Sequence, residues 1–271
     1  MIIGWSGQTM PALPLGREMD VVAEAGYGGL ELLVSKLGPF LEHHSARDLA
    51  AGLQERKLAP LALNCIEHFN LRSDEETAAN KRDCLWLSQL AQAVGCPTVA
   101  VVPSPKPPGM EWPEIKAQTV AALQELAGIA GAYGVRLAFE FLAPAGCSVR
   151  TLAQGWEIVR DTGCENAGLV IDTYHFFVGG SSWGSLDEFD VDRLYMVHIN
   201  DVEGRPLETL TDGDRLLPGE GVIPLRRLLG RLKARGYDGA YALEVMRPAY
   251  RERDPLEYAR AGRETVERAL A

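Results

Sequence analysis

The chain has no stretch approaching the roughly 18 uninterrupted apolar residues that a membrane span requires. Cysteine is scarce and scattered: Cys65, Cys84, Cys96, Cys147 and Cys164 are odd in number, and no two form a C-x-x-C pair. That excludes a disulfide framework and a thiolate zinc site, and it fits a reducing compartment. Positive charge is in deficit, with 27 Lys and Arg against 37 Asp and Glu and a formal net charge of -10. An acidic surface repels phosphate backbones and anionic lipid, so neither nucleic acid nor a membrane is an expected partner. The segment "GWSGQTMPALPLG" lacks the G-x-G-x-x-G order of a dinucleotide-binding turn. The opening "MIIGWSGQTM" has no basic region followed by a long apolar run, so a signal peptide is not expected and a cytoplasmic location is.

What is present is a repeated alternation. Short apolar runs occur at "MIIGW", "GGLELL", "LAPLALN", "TVAVVP", "VRLAFEF", "GLVID", "LYMVHIND" and "AYALEVM". Most lack strict polar alternation, as expected of strands buried on both faces of a parallel sheet. Amphipathic stretches separate them. "SARDLAAGLQERK" starts at Ser45, a good N-cap. "SDEETAANKRDCLWLSQLAQAVG" opens with Ser73 and Glu76, a capping box, and stops at Gly95 before Pro97. Helices are also expected in "WPEIKAQTVAALQELAGIAGAYG", "TLAQGWEIVRDTG", "PLRRLLGRLKARGYDG" and "DPLEYARAGRETVERALA". Eight strand–helix units in 271 residues predict an α/β fold, a (β/α)8 TIM barrel, as a single domain over 1–271. The Pro-rich "PSPKPPGMEWP" reads as a loop over one barrel mouth.

Function in such a barrel sits where strands end. Glu140, Asp172, His198 and Glu244 lie at the ends of strands five to eight, which are neighbours in space. Singly, each fits a helix cap or an ion pair. Together, three carboxylates and an imidazole form a site for one divalent cation, Mn²⁺, Mg²⁺, Co²⁺ or Zn²⁺. Without a cation the carboxylates would repel one another and be costly to bury. Glu31, on strand two across the barrel, is open to a structural role or a substrate contact. Arg215, in the Gly/Pro-shaped loop "TDGDRLLPGEG", is open to a surface ion pair with Asp212 or Asp214 or to holding a substrate oxygen. His175 follows Asp172 by three residues, in what reads as loop. His43 and His44 read as solvated, and Asp201 as a loop-capping or supporting group. Trp5, Phe69, Phe176 and Trp183 are either an apolar rim for a cyclic substrate or plain packing.

"PLALN", "FEF", "GWEIV", "GLVIDTYHF", "LTDGDRLLPGEGVIPL" and "EVMRPAYR" together resemble the sugar isomerase and epimerase superfamily with the xylose-isomerase-like barrel, and within it the inosose isomerases of inositol catabolism. The resemblance runs over nearly the whole chain. It implies metal ligation by Glu140, Asp172, His198 and Glu244, with Glu140 and Glu244 doubling as acid and base. It implies substrate oxygens on His175 and Arg215. The DNA-repair endonucleases of that superfamily carry further histidines on strands two and three and an Asp-x-His after strand seven. Here "ELLVSK" and Asp214-Arg215 stand in those places, so a three-zinc nuclease is not implied. The expected reaction is isomerisation of a small polyol ketone through an enediolate, with a ketose 3-epimerase, a keto-inositol dehydratase and a non-catalytic sugar-binding barrel as alternatives. A homo-oligomer is compatible with the sequence.

Overall fold

The computed structural model describes residues 1–271. Its strands are β1 (Ile2–Ser6), β2 (Gly29–Leu33), β3 (Ala59–Ile66), β4 (Thr98–Val101), β5 (Arg136–Glu140), β6 (Ala167–Asp172), β7 (Leu194–Ile199), β8 (Asp201–Val202), β9 (Arg215–Leu216) and β10 (Ala240–Leu243). Strands β1 to β7 and β10 close into a parallel barrel in sequence order, with β10 sealing against β1. All eight apolar runs of the sequence lie in that barrel. Strands β8 and β9 form a separate antiparallel ribbon, pairing Val202 with Arg215.

The helices are α1 (Leu15–Glu24), α2 (Val34–Leu41), α3 (Ala46–Glu55), α4 (Asp74–Val94), α5 (Trp112–Gly131), α6 (Leu152–Thr162), α7 (Thr173–Val178), α8 (Leu225–Ala234) and α9 (Pro255–Leu270). Helix α4 has the capping box read from Ser73 and Glu76, and it ends at Gly95 in the left-handed conformation that a glycine tolerates. Three helices escaped the sequence reading. Helix α1 starts after Pro14 without a side-chain cap, α2 is short and contains Pro39, and α7 is only six residues long. None of them offers the length and polar cap by which a helix is recognised in sequence. No helix is long and apolar enough to cross a membrane.

One core of 65 buried residues includes side chains of the barrel strands and of the helices around them. A second cluster, Ala62, Ala138, Val170, Met196, Ala240 and Ala242, draws on five strands and no helix, so it fills the barrel interior. Four of the six are alanine, and Leu61 packs against them. A Cβ on Gly4 or Gly29 would stand 2.3 or 2.6 Å from a Leu61 methyl. Side chains alternate between the faces of a strand. Two residues beyond this layer, the same inner face carries Glu140 after Ala138, Asp172 after Val170, His198 after Met196 and Glu244 after Ala242. The apolar plug is thus the floor of a polar layer.

Candidate active site

Glu140, Asp172, His198 and Glu244 are all buried, and their ligand atoms lie within 4.8 Å of one another. The His198 ring organises the group. Its Nδ1 is 3.0 Å from Glu140 Oε1 and 3.6 Å from Glu244 Oε2. Its Nε2 is 3.1 Å from both oxygens of Glu31. Glu31, expected as a possible substrate contact across the barrel, is fully buried and sits behind His198 instead. The barrel is narrow enough for strand two to reach the ring from its far side, and His198 stands between Glu31 and the other carboxylates.

Asp172 ends β6 and caps α7. Its Oδ1 accepts from the His175 amide at 2.8 Å, so the segment read as loop is the first turn of a helix. Its Oδ2 accepts from Asn200 Nδ2 and Arg215 Nη1, both at 2.8 Å. Glu244 is held by Ser6 Oγ at 2.9 Å on Oε1 and by Arg215 Nη1 at 3.0 Å on Oε2. Arg215 arrives on β9 because the ribbon folds the long β7–β10 connection back over the barrel. It is fully buried, lies over the Tyr174 ring and is gripped by Asp212 Oδ1 at 2.6 Å from Nη2. The ion pair with Asp212 is present, but Arg215 is buried rather than at the surface, and it also binds Asp172 and Glu244.

His175 meets two donors. The Ala143 amide points at Nδ1 at 3.0 Å, and Arg215 Nη2 lies 3.2 Å from Nε2. A neutral imidazole has one acceptor nitrogen, so it satisfies one of them and turns an N–H toward the other side. Burial pushes the His175 ring below its ordinary value and Arg215 adds to this, against Asp172 and Glu140. Burial would likewise push His198 down, but Glu244, Glu31 and Glu140 together hold it well above its ordinary value. Burial, with Glu140 and Glu31 nearby, raises Glu244 to about 7 despite His198 and Arg215. Asp172 goes the other way: burial opposes its charge, yet Arg215, His175 and His198 keep it low.

The donor set fits a divalent cation. Four buried carboxylates, Glu31, Glu140, Asp172 and Glu244, are opposed by one permanent cation, Arg215, and by an imidazole that must be charged to help. An ion among them removes the repulsion and frees His198 Nδ1 as a neutral ligand, with Nε2–H directed at Glu31. The cluster can hold one divalent metal ion. Above it lies a cavity of about 280 Å³, lined by Glu140, His175, Arg215 and Glu244 together with Gln8 and Glu67.

A family model described as "Xylose isomerase-like TIM barrel" matches residues 19–269. The chain belongs to this family. It is 34% identical over 253 residues to an inosose isomerase of Halalkalibacterium halodurans, covering 93% of this chain and 90% of that protein. It is 33% identical over 234 residues to an inosose isomerase of Bacillus subtilis, covering 86% and 84%. A crystal structure of the IOLI protein with a binding zinc atom superposes with a TM-score of 0.96 at 32% identity, covering 100% of this chain and 98% of that one.

Two groups at the site lie outside the sequence reading. Asn200 bridges Asp172 and the Glu244 carbonyl, and Ser6 holds Glu244. Ser6 shares the inner face with Gly4, so strand parity alone could have found it. Asp201 caps a loop, accepting from the Gly219 and Ile223 amides. Trp5, Phe69 and Phe176 are buried in the core rather than forming a rim.

Proposed function

We propose that the chain is a divalent-metal-dependent isomerase of a small neutral polyol ketone, an inosose in the first instance, which moves the carbonyl to the adjacent carbon. The observation that carries this reading is the convergence of Glu140, Asp172, His198 and Glu244 on one point beneath a cavity, in a chain similar over most of its length to inosose isomerases. A bound divalent cation supplies a Lewis acid for a carbonyl oxygen and the neighbouring hydroxyl. The residues divide the remaining work. Glu140 offers one oxygen to His198 and lines the cavity with the rest of its carboxylate, which suits it to take a proton from carbon. Glu244 lines the same cavity with its carboxylate oriented by Ser6 and Arg215, which supports it as the group that returns the proton. His175 and Arg215 line the same cavity, which supports a role for them in binding substrate oxygens. Asp172 and His198 are the ligands without a proton-moving role.

The acidic charge supports a small-molecule partner rather than nucleic acid or a membrane, and five free cysteines support a cytoplasmic setting. The test is NMR in D₂O on the metal-loaded chain with a panel of inososes and ketoses. Carbonyl migration with deuterium uptake is the expected result. Inversion at one carbon would select an epimerase, loss of water a dehydratase, and no reaction a binding barrel. Assayed at saturating metal, Glu244→Gln is expected to lose carbonyl migration, because the proton is not returned at the adjacent carbon, and retained migration would remove Glu244 from the acid–base pair.

A further inference from the structure

The cavity over the carboxylates does not close on itself. It shares Gln8, Asn64, Cys65 and Glu67 with an adjoining space of about 450 Å³ that runs past the start of α2 to the flank of α4. The combined volume is well beyond what one six-membered polyol needs, since pockets of roughly 300 Å³ and upward already bury small ligands. The second lobe has its own chemistry. Its outer wall is Trp86, 41% exposed on a helix whose buried face is built from Cys84, Leu87, Leu90 and Ala91. The core therefore does not require the indole. Glu67 and Asp83 line the lobe with the amides of Gln8 and Asn80. No lysine or arginine lines it.

An aromatic face flanked by carboxylates and amides is complementary to a neutral polyhydroxylated ring. The C–H face of the ring packs on the indole, and its hydroxyls donate to the acceptor oxygens. Phosphate is disfavoured, because two carboxylates line the lobe and no lysine or arginine does. We propose that this lobe is a second subsite for a neutral sugar ring joined to the ring that lies over the carboxylate cluster, so that the chain accepts glycosylated polyol ketones as well as free ones. The proposal rests on the isomerase reading for the identity of the first ring.

The experiment is calorimetric titration of the metal-loaded chain with galactinol, a galactose joined to myo-inositol, and with myo-inositol alone, on wild type and Trp86→Ala. Galactinol is expected to bind about tenfold tighter than myo-inositol, and Trp86→Ala to remove about that factor while leaving myo-inositol within about twofold. Equal affinities, no detectable galactinol binding, or indifference to Trp86→Ala would each overturn the subsite. So would ultracentrifugation showing that Trp86→Ala breaks an oligomer without changing galactinol binding, because the face would then belong to a second copy of the chain. The two readings fail separately. Turnover of inosose with no preference for galactinol sinks the subsite alone, whereas a galactinol preference without inosose turnover sinks the isomerase and keeps the subsite.

Discussion

Both carboxylate oxygens of Glu31 lie 3.1 Å from His198 Nε2, from the opposite side of the ring to Glu140 and Glu244. A carboxylate in that position fixes the tautomer, leaving Nδ1 as the metal-facing atom, and makes the ring a better ligand. Glu31→Leu is expected to lower metal affinity about 10- to 100-fold, and Glu31→Gln, which keeps an acceptor, to lower it less. Competition against a chromophoric chelator measures both. Unchanged affinity in the two variants would leave Glu31 no part in metal binding.

Asp172 and His175 sit three residues apart but are expected to fail differently. Asp172→Asn removes a ligand charge and should leave only about a tenth of the metal bound after dialysis. His175→Ala removes a donor facing the cavity and should keep the metal while turnover drops about a hundredfold. Elemental analysis beside the assay separates them. Metal loss in His175→Ala would make that residue part of the ion's site.

How far this site could be read from sequence depended on the range of each interaction. Glu140, Asp172, His198 and Glu244 were legible because each ends an apolar run, and a barrel brings the ends of consecutive runs together. Glu31 was seen but misplaced, because a strand-end reading says nothing of how deep a side chain reaches. Asn200, the choice of Asp212 over Asp214 as the partner of Arg215, and the Trp86 lobe were not legible. Their positions depend on the β8–β9 ribbon and on the rotation of α4, which are set by packing rather than by local pattern. Helix α7 was hidden for the opposite reason: its cap, Asp172, already had a role as a strand-end carboxylate.

Arg215 is a buried cation between three carboxylates, 2.8 Å from Asp172, 3.0 Å from Glu244 and 2.6 Å from Asp212. Breaking such a pair by removing one partner costs about 3–5 kcal/mol, because the remaining charges stay buried. Arg215→Met is expected to lose about that much in urea denaturation of the metal-free chain, and to recover part of it when a divalent ion is added and supplies the missing positive charge. The same loss with and without metal would show that Arg215 and the ion do not share the carboxylates.

Away from the site, Glu18 on α1 and Lys36 on α2 pair at 2.7 Å in the interior, with the Trp5 indole donating to the same Glu18 oxygen. The other Glu18 oxygen is buried without a partner. Burial raises the Glu18 carboxyl from 4.5 to about 7, against the pull of Lys36 and Trp5. Between these values the folded chain keeps a proton that the unfolded chain has released. Stability therefore falls as pH rises through that window and levels off above it. The shift from 4.5 to about 7 corresponds to about 3 kcal/mol. Replacing the pair by Glu18→Gln with Lys36→Met removes the titrating group without stranding the ammonium. Denaturation from pH 5 to pH 8 is expected to show a shallower decline in the double variant than in wild type. Parallel curves would mean that the carboxyl is ionised throughout and that Lys36 fully offsets its burial.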